Sequence, residues 1–158
     1  MVNPIREVPD VLIATTASLD DKLWPQEKWC DTLGAVIAAG HSVGLLGAPP
    51  KDQGKYWKGA DEESRLIEIG IEDLRGQFTL PEVVGALDAA RAILTIDNGI
   101  LHMACATDTP VVGLYRNGIH RLWAPPKSNL QVVEPGEGGA VAEVDSGSIQ
   151  EKILKILK

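Results

Sequence analysis

The sequence is short of the residues and runs that several common protein classes require. In 158 residues it has only two cysteines, Cys30 and Cys105, too few for a four-cysteine zinc site. Its three histidines, His41, His102 and His120, are scattered without the spacing of a zinc ligand set. No apolar run approaches the roughly 20 residues that a transmembrane helix needs, and the first residues lack the apolar core of a secretion signal. We therefore expect a reduced, cytoplasmic protein without a metal and with at most peripheral membrane contact.

A basic charge balance and the common phosphate-binding signatures are also lacking. The chain has 22 acidic and 15 basic residues and a formal net charge of -7, which argues against nonspecific binding to nucleic acid. No Gly-x-Gly-x-x-Gly follows the first apolar run. The stretch 47–55 is spaced wrongly for a phosphate loop, and Tyr56 stands where Ser or Thr is needed. These absences exclude the best-known nucleotide fingerprints and make nucleic acid an unexpected partner.

What the sequence does have is a regular alternation of short apolar runs with amphipathic stretches. It predicts strands at 11–16, 42–47, 92–97 and 110–115, a brief strand within 73–78 and an edge strand at 131–133. It predicts helices at 25–39, 61–71, 79–91, 100–106 and about 148–157, with a mobile Gly- and acid-rich segment at 135–147. Strands alternating with helices predict an α/β fold, an open parallel sheet with helices on both faces. We expect one domain over 1–158, with its core at about 11–133.

Polar residues follow several of the predicted strands, where ligands bind in sheets of this kind. Asp97, Asn98 and Gly99 follow one strand, and a carboxylate there would face the ligand crevice. The alternative is that Asp97 is only a turn or N-cap residue and that His102 only packs. Thr15 and Thr16 end another strand, and with Lys22 they could hold a diphosphate. For this second group the alternative is a solvated lysine beside two aspartates.

These segments resemble glycosyltransferase family 9, the lipopolysaccharide heptosyltransferases. The resemblance is carried by three collinear blocks between about 11 and 126: the Thr pair with 20–29, then Leu74 to Glu82, then Asp97 to Ala104 followed by 110–115. The third block is similar to the family's Asp-(Ser/Thr)-Gly-x-x-His-x-Ala motif, with Asn98 replacing Ser or Thr. Two extra residues separate the Thr pair from Lys22.

The resemblance implies a Rossmann-like fold equivalent to one half of a GT-B enzyme. It covers the C-terminal, donor-binding half of that family. The N-terminal half binds the acceptor and supplies the carboxylate base, and no stretch of this sequence corresponds to it. We therefore leave the catalytic base unassigned and expect transfer to need an acceptor-domain partner or a homo-oligomer.

The resemblance also implies roles for individual residues. Thr15, Thr16 and Lys22 would contact the donor diphosphate, with the amides of Asn98 and Gly99 near the phosphates. Glu62 would accept from the ribose hydroxyls, with Asp61 or Glu63 as substitutes. Phe78 and Thr79 would line the adenine pocket, Asp97 would bind the sugar hydroxyls, and His102 would orient or pack beneath the phosphates. No metal or other cofactor is implied.

The function implied is that of a donor domain. It would bind an ADP-sugar of the ADP-heptose type for inverting transfer to a lipopolysaccharide core or related glycan, in the bacterial cytoplasm or at the inner face of the inner membrane. Two alternatives stay open. In the first alternative, the chain is a non-catalytic nucleotide-binding or assembly module that kept the half-fold. In the second, it is an unrelated flavodoxin-like domain that binds a flavin.

Overall fold

A parallel sheet organises the domain. The computed structural model describes residues 7–17, 22–49, 60–116, 129–136 and 139–158, with only the backbone given for 60–62. These residues form a sheet of six strands in the order β3-β2-β1-β4-β5-β6. The strands are β1 (Val11–Ala14), β2 (Val43–Leu45), β3 (Glu72–Asp73), β4 (Ala92–Ile96), β5 (Val111–Leu114) and β6 (Leu130–Val133). All five pairings are parallel, as the alternation of strands and helices predicts.

Helices cover both faces of the sheet. They are α1 (Gln26–Ala38), α2 (Ala60–Glu68), α3 (Leu80–Ala89), α4 (Gly99–Cys105) and α5 (Ser146–Ile156). One core layer joins Ile13 and Leu94 to α1 and α5, and the other joins Leu12 and Ile93 to α3 and α4. Because both faces are covered, β1 and β4 are buried along their whole length and need no polar alternation. Over the described ranges, every helix is too short or too polar to cross a bilayer.

The strand order explains where a ligand site can form. The chain runs from β1 outward to β3 and then returns to place β4 beside β1, so the direction of winding reverses between these two strands. Ala14 is level with Thr95 in the register of that pair. The residues that follow β1 and β4 therefore emerge side by side at the carboxyl edge of the sheet. In doubly wound sheets this reversal opens a crevice for ligands.

Several predicted boundaries are wrong by a few residues. β1 ends at Ala14 rather than Thr16, and α2 ends at Glu68 rather than Ile71. The helix stops early because Gly70 takes a positive φ of 101°, which glycine adopts without the steric strain of a Cβ. The chain then enters β3 at Glu72, before the predicted window of 73–78.

Residues 139–147 are packed against the core, contrary to the prediction of a mobile segment at 135–147. Val141 and Val144 belong to the core layer under α1, with exposures of 0% and 4%. Trp24 Nε1 donates to the Val144 carbonyl at 3.0 Å, and Lys28 Nζ donates to the Ala142 carbonyl at 2.5 Å. The acidic and glycine-rich composition of this segment is typical of an exposed loop, so the burial of Val141 and Val144 could not be predicted from it. Asp145 then caps α5, which begins at Ser146 rather than about 148.

Candidate functional site

A pocket of about 400 Å³ lies at the carboxyl edge of the sheet, beside the reversal between β1 and β4. Its volume falls within the range of sites for small molecules and cofactors. The lining is mostly apolar, with a few polar groups from the strand ends. It comprises Ala14, Thr16, Leu46, Gly47, Ala48, Pro49, Leu74, Gly76, Phe78, Leu80, Val83, Asn98, Gly99, Ile100 and Met103. The structure thus brings four residues predicted from sequence into one pocket: Thr16, Phe78, Asn98 and Gly99.

Lys22 and Asp97 meet near this edge of the sheet. Lys22 Nζ lies 3.6 Å from Asp97 Oδ2, and their side chains are 19% and 11% exposed. Asp97 directly follows β4, whereas Lys22 comes from the connection between β1 and α1. The two predicted groups therefore belong to one arrangement. A half-buried cation held by a carboxylate at a strand end is suited to receiving an anionic ligand group.

Asn98, and not Asp97, caps α4. Its Oδ1 accepts from the Leu101 amide at 3.2 Å, while its Nδ2 donates to the Thr16 carbonyl at 3.2 Å. The alternative that Asp97 is the helix cap is therefore wrong, because Asn98 caps α4. The alternative that Asp97 is only a turn residue stays open, since Asp97 lies in the bend between β4 and α4. Asn98 also ties the end of β4 to the end of β1. Its side chain links the two predicted segments across the sheet.

Thr15 and Thr16 face different surroundings. Thr16 lines the large pocket, but Thr15 is only 5% exposed and its Oγ1 donates to Glu63 Oε1 at 2.5 Å. Thr15 instead lines a cavity of about 170 Å³ with Leu23, Trp24, Pro25, Gln26, Trp29 and Leu66. Adjacent residues of an extended chain point to opposite faces, which explains the divergence. The structure does not bring the Thr15 hydroxyl into the large pocket.

Glu63 forms a buried ionic cluster with Arg75 and Asp73. It is fully buried, and Arg75 NH1 donates to its Oε2 at 3.1 Å. Arg75 also holds Asp73, with Nε 2.9 Å from Oδ1 and NH2 2.9 Å from Oδ2. Burial raises the pKa of Glu63, whereas the Arg75 side-chain hydrogen bond lowers the pKa of Asp73. In the same cluster, the hydrogen bond to Asp73 raises the pKa of Arg75.

The remaining predicted residues occupy varied positions. Glu62 lies in α2, but its side chain is outside the described part of the structure. Thr79 is exposed and caps α3 through a reciprocal pair with Glu82, whose pKa the Thr79 backbone hydrogen bond lowers. His102 is exposed on α4, so the alternative that it packs in the core does not fit. His120 falls outside the described residues. Within those that are described, no three His, Cys, Asp or Glu side chains group closely enough to hold a metal ion.

Sequence reasoning missed the role of Arg75 and the wall around it. Gly76 has a φ of 70°, and its amide donates to the Gly47 carbonyl at 2.9 Å. A Cβ at Gly76 would lie 2.7 Å from Pro49, so only glycine fits this close approach. The glycine at position 76, between β3 and α3, was a signal for a tight turn beside the site. The partner of Arg75 in α2 could not be inferred from that signal.

Comparison with known sequences decides the family. Residues 3–154 match the family described as glycosyltransferase family 9 (heptosyltransferase). The chain belongs to glycosyltransferase family 9. Lipopolysaccharide heptosyltransferase 3 of Escherichia coli is 25% identical over 93% of this chain, a match that spans 43% of that protein. This family 9 chain thus spans less than half the length of that relative.

Solved structures show the same fold. The Escherichia coli heptosyltransferase WaaC with ADP superposes with a TM-score of 0.78 at 21% identity, covering 98% of this chain and 46% of that one. TibC from enterotoxigenic E. coli H10407, solved as a dodecameric iron-containing heptosyltransferase in complex with ADP-D-β-D-heptose, gives 0.56 at 27% identity. That match covers 72% of this chain and 28% of TibC. The family 9 chain therefore has the Rossmann-like α/β architecture of about half of a GT-B heptosyltransferase.

Proposed function

We propose that this domain binds the nucleotide-sugar donor of a heptosyltransferase-type reaction, an ADP-sugar of the ADP-heptose type. The reaction would transfer the sugar, with inversion, to a lipopolysaccharide core or related glycan. One observation carries the proposal: an apolar pocket of about 400 Å³ and the Lys22–Asp97 pair occur together at the reversal point of the sheet. A nucleoside diphosphate sugar needs both an apolar wall for its base and a polar region for its diphosphate and sugar.

The pocket suggests how the donor would be divided among its residues. Phe78 and Leu74 provide an apolar wall suited to adenine, with Thr79 at the start of α3 beside it. Thr16 and the backbone of Gly99 line the part nearest the end of β1, where we assign the diphosphate. Asp97 would accept from sugar hydroxyls. Glu62 remains our choice for the ribose, and His102, exposed on α4, for a position beside the phosphates.

The remaining assignments concern charge. Lys22 would stabilise the negative charge that grows on the diphosphate as it leaves. In the free protein Asp97 holds this ammonium group at 3.6 Å, so the cation is in place before the donor arrives. Transfer also requires a base within hydrogen-bond reach of the acceptor hydroxyl. We assign the base and the acceptor surface to a second domain, because Asp97 is engaged by Lys22 and by the proposed sugar.

Partners and location follow from the same proposal. The acceptor region would come from an N-terminal domain or from another copy of the chain, and the dodecameric state of TibC makes self-association a reasonable form for the second. The relative from Escherichia coli is a lipopolysaccharide heptosyltransferase, and we expect the donor to be used in the bacterial cytoplasm. We therefore place the protein there, at the inner face of the inner membrane during transfer.

Calorimetry with ADP and ADP-heptose, with and without a chelator, tests donor binding. We expect weak, chelator-independent binding of both. Asp97→Asn should weaken ADP-heptose more than ADP, by about 1 kcal/mol, because the lost carboxylate hydrogen bonds concern the sugar. Failure of the wild-type chain to bind either ligand at millimolar concentration would contradict the proposal.

A transfer assay separates the donor domain from a non-catalytic module. The chain alone should give negligible transfer to a core acceptor, because no base is assigned within it. Adding the N-terminal domain of a family member, fused ahead of Val11 or supplied in trans, should restore transfer. ADP-heptose binding without any restored transfer would favour the non-catalytic alternative.

A further inference from the structure

A continuous chain of hydrogen bonds runs behind the pocket from the end of β1 to the end of β3. Thr15 Oγ1 donates to Glu63 Oε1 at 2.5 Å, and Arg75 NH1 donates to Glu63 Oε2 at 3.1 Å. Arg75 then bonds both carboxylate oxygens of Asp73, at 2.9 Å each. The four residues come from the segment just after β1, from α2, from β3 and from the turn after β3. The chain therefore fixes three separate segments relative to one another.

Two members of this hydrogen-bonded chain, Thr15 and Arg75, are neighbours in sequence of residues that line the pocket. Thr15 precedes Thr16, which lines the pocket at the end of β1. Arg75 lies between Leu74 and Gly76, which line the opposite wall together with Phe78. The backbone amide of Arg75 also donates to Asp73 Oδ1 at 3.1 Å, so the turn itself is part of the chain. A shift of Arg75 would move that wall relative to Thr16.

The two central members of this hydrogen-bonded chain are buried, whereas the Asp73 side chain is 35% exposed. Glu63 is 0% exposed and the Arg75 side chain 9% exposed. Neither residue lines the large pocket. Groups in this position act on a ligand through the segments that they hold, and precise placement of such supporting groups decides whether a site is tight or loose.

We propose that Glu63 and Arg75 are positioning residues that set the distance between the diphosphate side of the pocket at Thr16 and the nucleobase wall at 74–78. The inference rests on the proposed donor-binding function, and it adds residues outside the pocket to that function. Arginine is required because its planar fork bonds two carboxylates at once, which the single ammonium group of lysine cannot do.

If the proposal is correct, substitutions at Glu63 and Arg75 should affect the affinities for two ligands, ADP and inorganic pyrophosphate, to different extents. Inorganic pyrophosphate needs only the diphosphate side, whereas ADP needs both sides at the correct distance. Arg75→Lys and Glu63→Gln should each weaken ADP binding by about five- to tenfold while changing pyrophosphate affinity by less than about twofold. Arg65→Lys is the matched control, since Arg65 is an exposed arginine of α2 outside the chain of bonds, and it should change neither affinity.

Calorimetry on the full chain, with circular dichroism to verify folding at the assay temperature, provides the measurement. An equal loss for both probes, or no loss for either, would overturn the positioning role. If Arg75→Lys does not fold, Thr15→Val removes the hydrogen bond at the other end of the series and should likewise weaken ADP binding more than pyrophosphate binding. Absence of binding of both probes by the wild-type chain would instead refute the donor-binding function itself.

Discussion

Thr15 and Thr16 are identical and adjacent, yet the structure gives them opposite surroundings. Thr16 lines the large pocket beside α3 and α4, while Thr15 turns toward α1 and α2 and bonds a buried glutamate. The pocket side is apolar with a few polar groups available to a ligand. The Thr15 side has its polar groups bound to one another. Under the proposed function, one face of the strand end would bind the donor, and the other would hold that face in position.

The difference predicts that substitutions on the two sides affect different measurements. Changes in the hydrogen-bonded series of Thr15, Glu63, Arg75 and Asp73 should change the free energy of unfolding and the affinity for ADP, while leaving the affinity for pyrophosphate almost unchanged. Changes at the pocket edge should mainly change ligand affinity. Four experiments follow, from the largest expected effect to the smallest.

Arg75→Ala should have the largest effect on stability. It removes the Arg75 guanidinium from the fully buried Glu63 carboxylate, and removing one partner of a buried pair costs about 3–5 kcal/mol. Urea denaturation measures the loss. Arg65→Ala, on the exposed side of α2, should stay within about 0.5 kcal/mol of the wild type. A loss at Arg75 no larger than that of the control would show that the buried cluster contributes nothing to stability.

Lys22→Ala should act on binding. Losing a charge-assisted contact to phosphate should weaken ADP binding by about 1.5–3 kcal/mol. Its ion pair with Asp97 is partly exposed, so the free energy of unfolding should fall by less than about 1 kcal/mol. Calorimetry and denaturation on the same preparation give both values. ADP affinity equal to the wild type would leave Lys22 as a surface residue beside the site.

The same substitution at Thr15 and at Thr16 should have opposite effects on stability and on ligand binding. Thr15→Val leaves the buried Glu63 oxygen without its hydroxyl donor and should lower the free energy of unfolding by about 1–2 kcal/mol. Thr16→Val should change stability by less than about 0.5 kcal/mol but weaken pyrophosphate binding. Since both substitutions are the same, the comparison controls for side-chain size and shape. Similar stability losses in both variants would contradict the division between the two faces.

The pH dependence of stability should carry the smallest effect. Burial raises the pKa of Glu63 above 4.5, so the folded protein takes up this proton at a higher pH than the unfolded chain does. The ionised carboxylate therefore lowers stability above its folded pKa, and the penalty is relieved as the pH falls through that pKa toward 4.5. Thr15, Arg75 and Asp73 are the groups around it that modulate the shift.

The opposite sign applies to Asp73. Its pKa is lowered below 3.8, so its contribution to stability is complete above that pH and is lost as the pH falls through the lower folded pKa.

The difference in unfolding free energy between the wild type and Glu63→Gln, measured from neutral pH down to pH 4.5, isolates the contribution of the glutamate. It should shift in favour of the wild type as the pH falls, and a flat difference would contradict the raised pKa.

The fold and the place of the site could be predicted because they depend on local patterns. Short apolar runs, separated by amphipathic stretches, predict β1, β2, β4 and β5, and a parallel sheet brings the carboxyl ends of these strands to one edge. Asp97 and Lys22 could be proposed from sequence for that reason. The structure shows where most of the predicted site residues lie, and the roles assigned to all of them in donor binding stay predictions.

The buried chain could not be predicted, because its members lie far apart in sequence. Thr15 and Glu63 are 48 residues apart, and Glu63 and Arg75 are 12 apart. Local propensity carries no information on which acidic residue of α2 turns inward. The same limit explains the error at 139–147, where Val141 and Val144 pack against a helix more than 100 residues earlier, as the 120-residue separation of Trp24 and Val144 shows.

That long separation has a consequence for synthesis on the ribosome. Trp24 and Lys28 near the start of α1 bond the carbonyls of 142–144, and Thr32 Oγ1 lies 3.2 Å from the Ser146 carbonyl. Until the segment 139–157 has emerged from the exit tunnel, the apolar face of α1 has no cover on that side. We expect the nascent chain to expose Trp24 and Trp29 on that side between the synthesis of α1 and that of 139–157, a period in which a chaperone that recognises aromatic surface would have access to them.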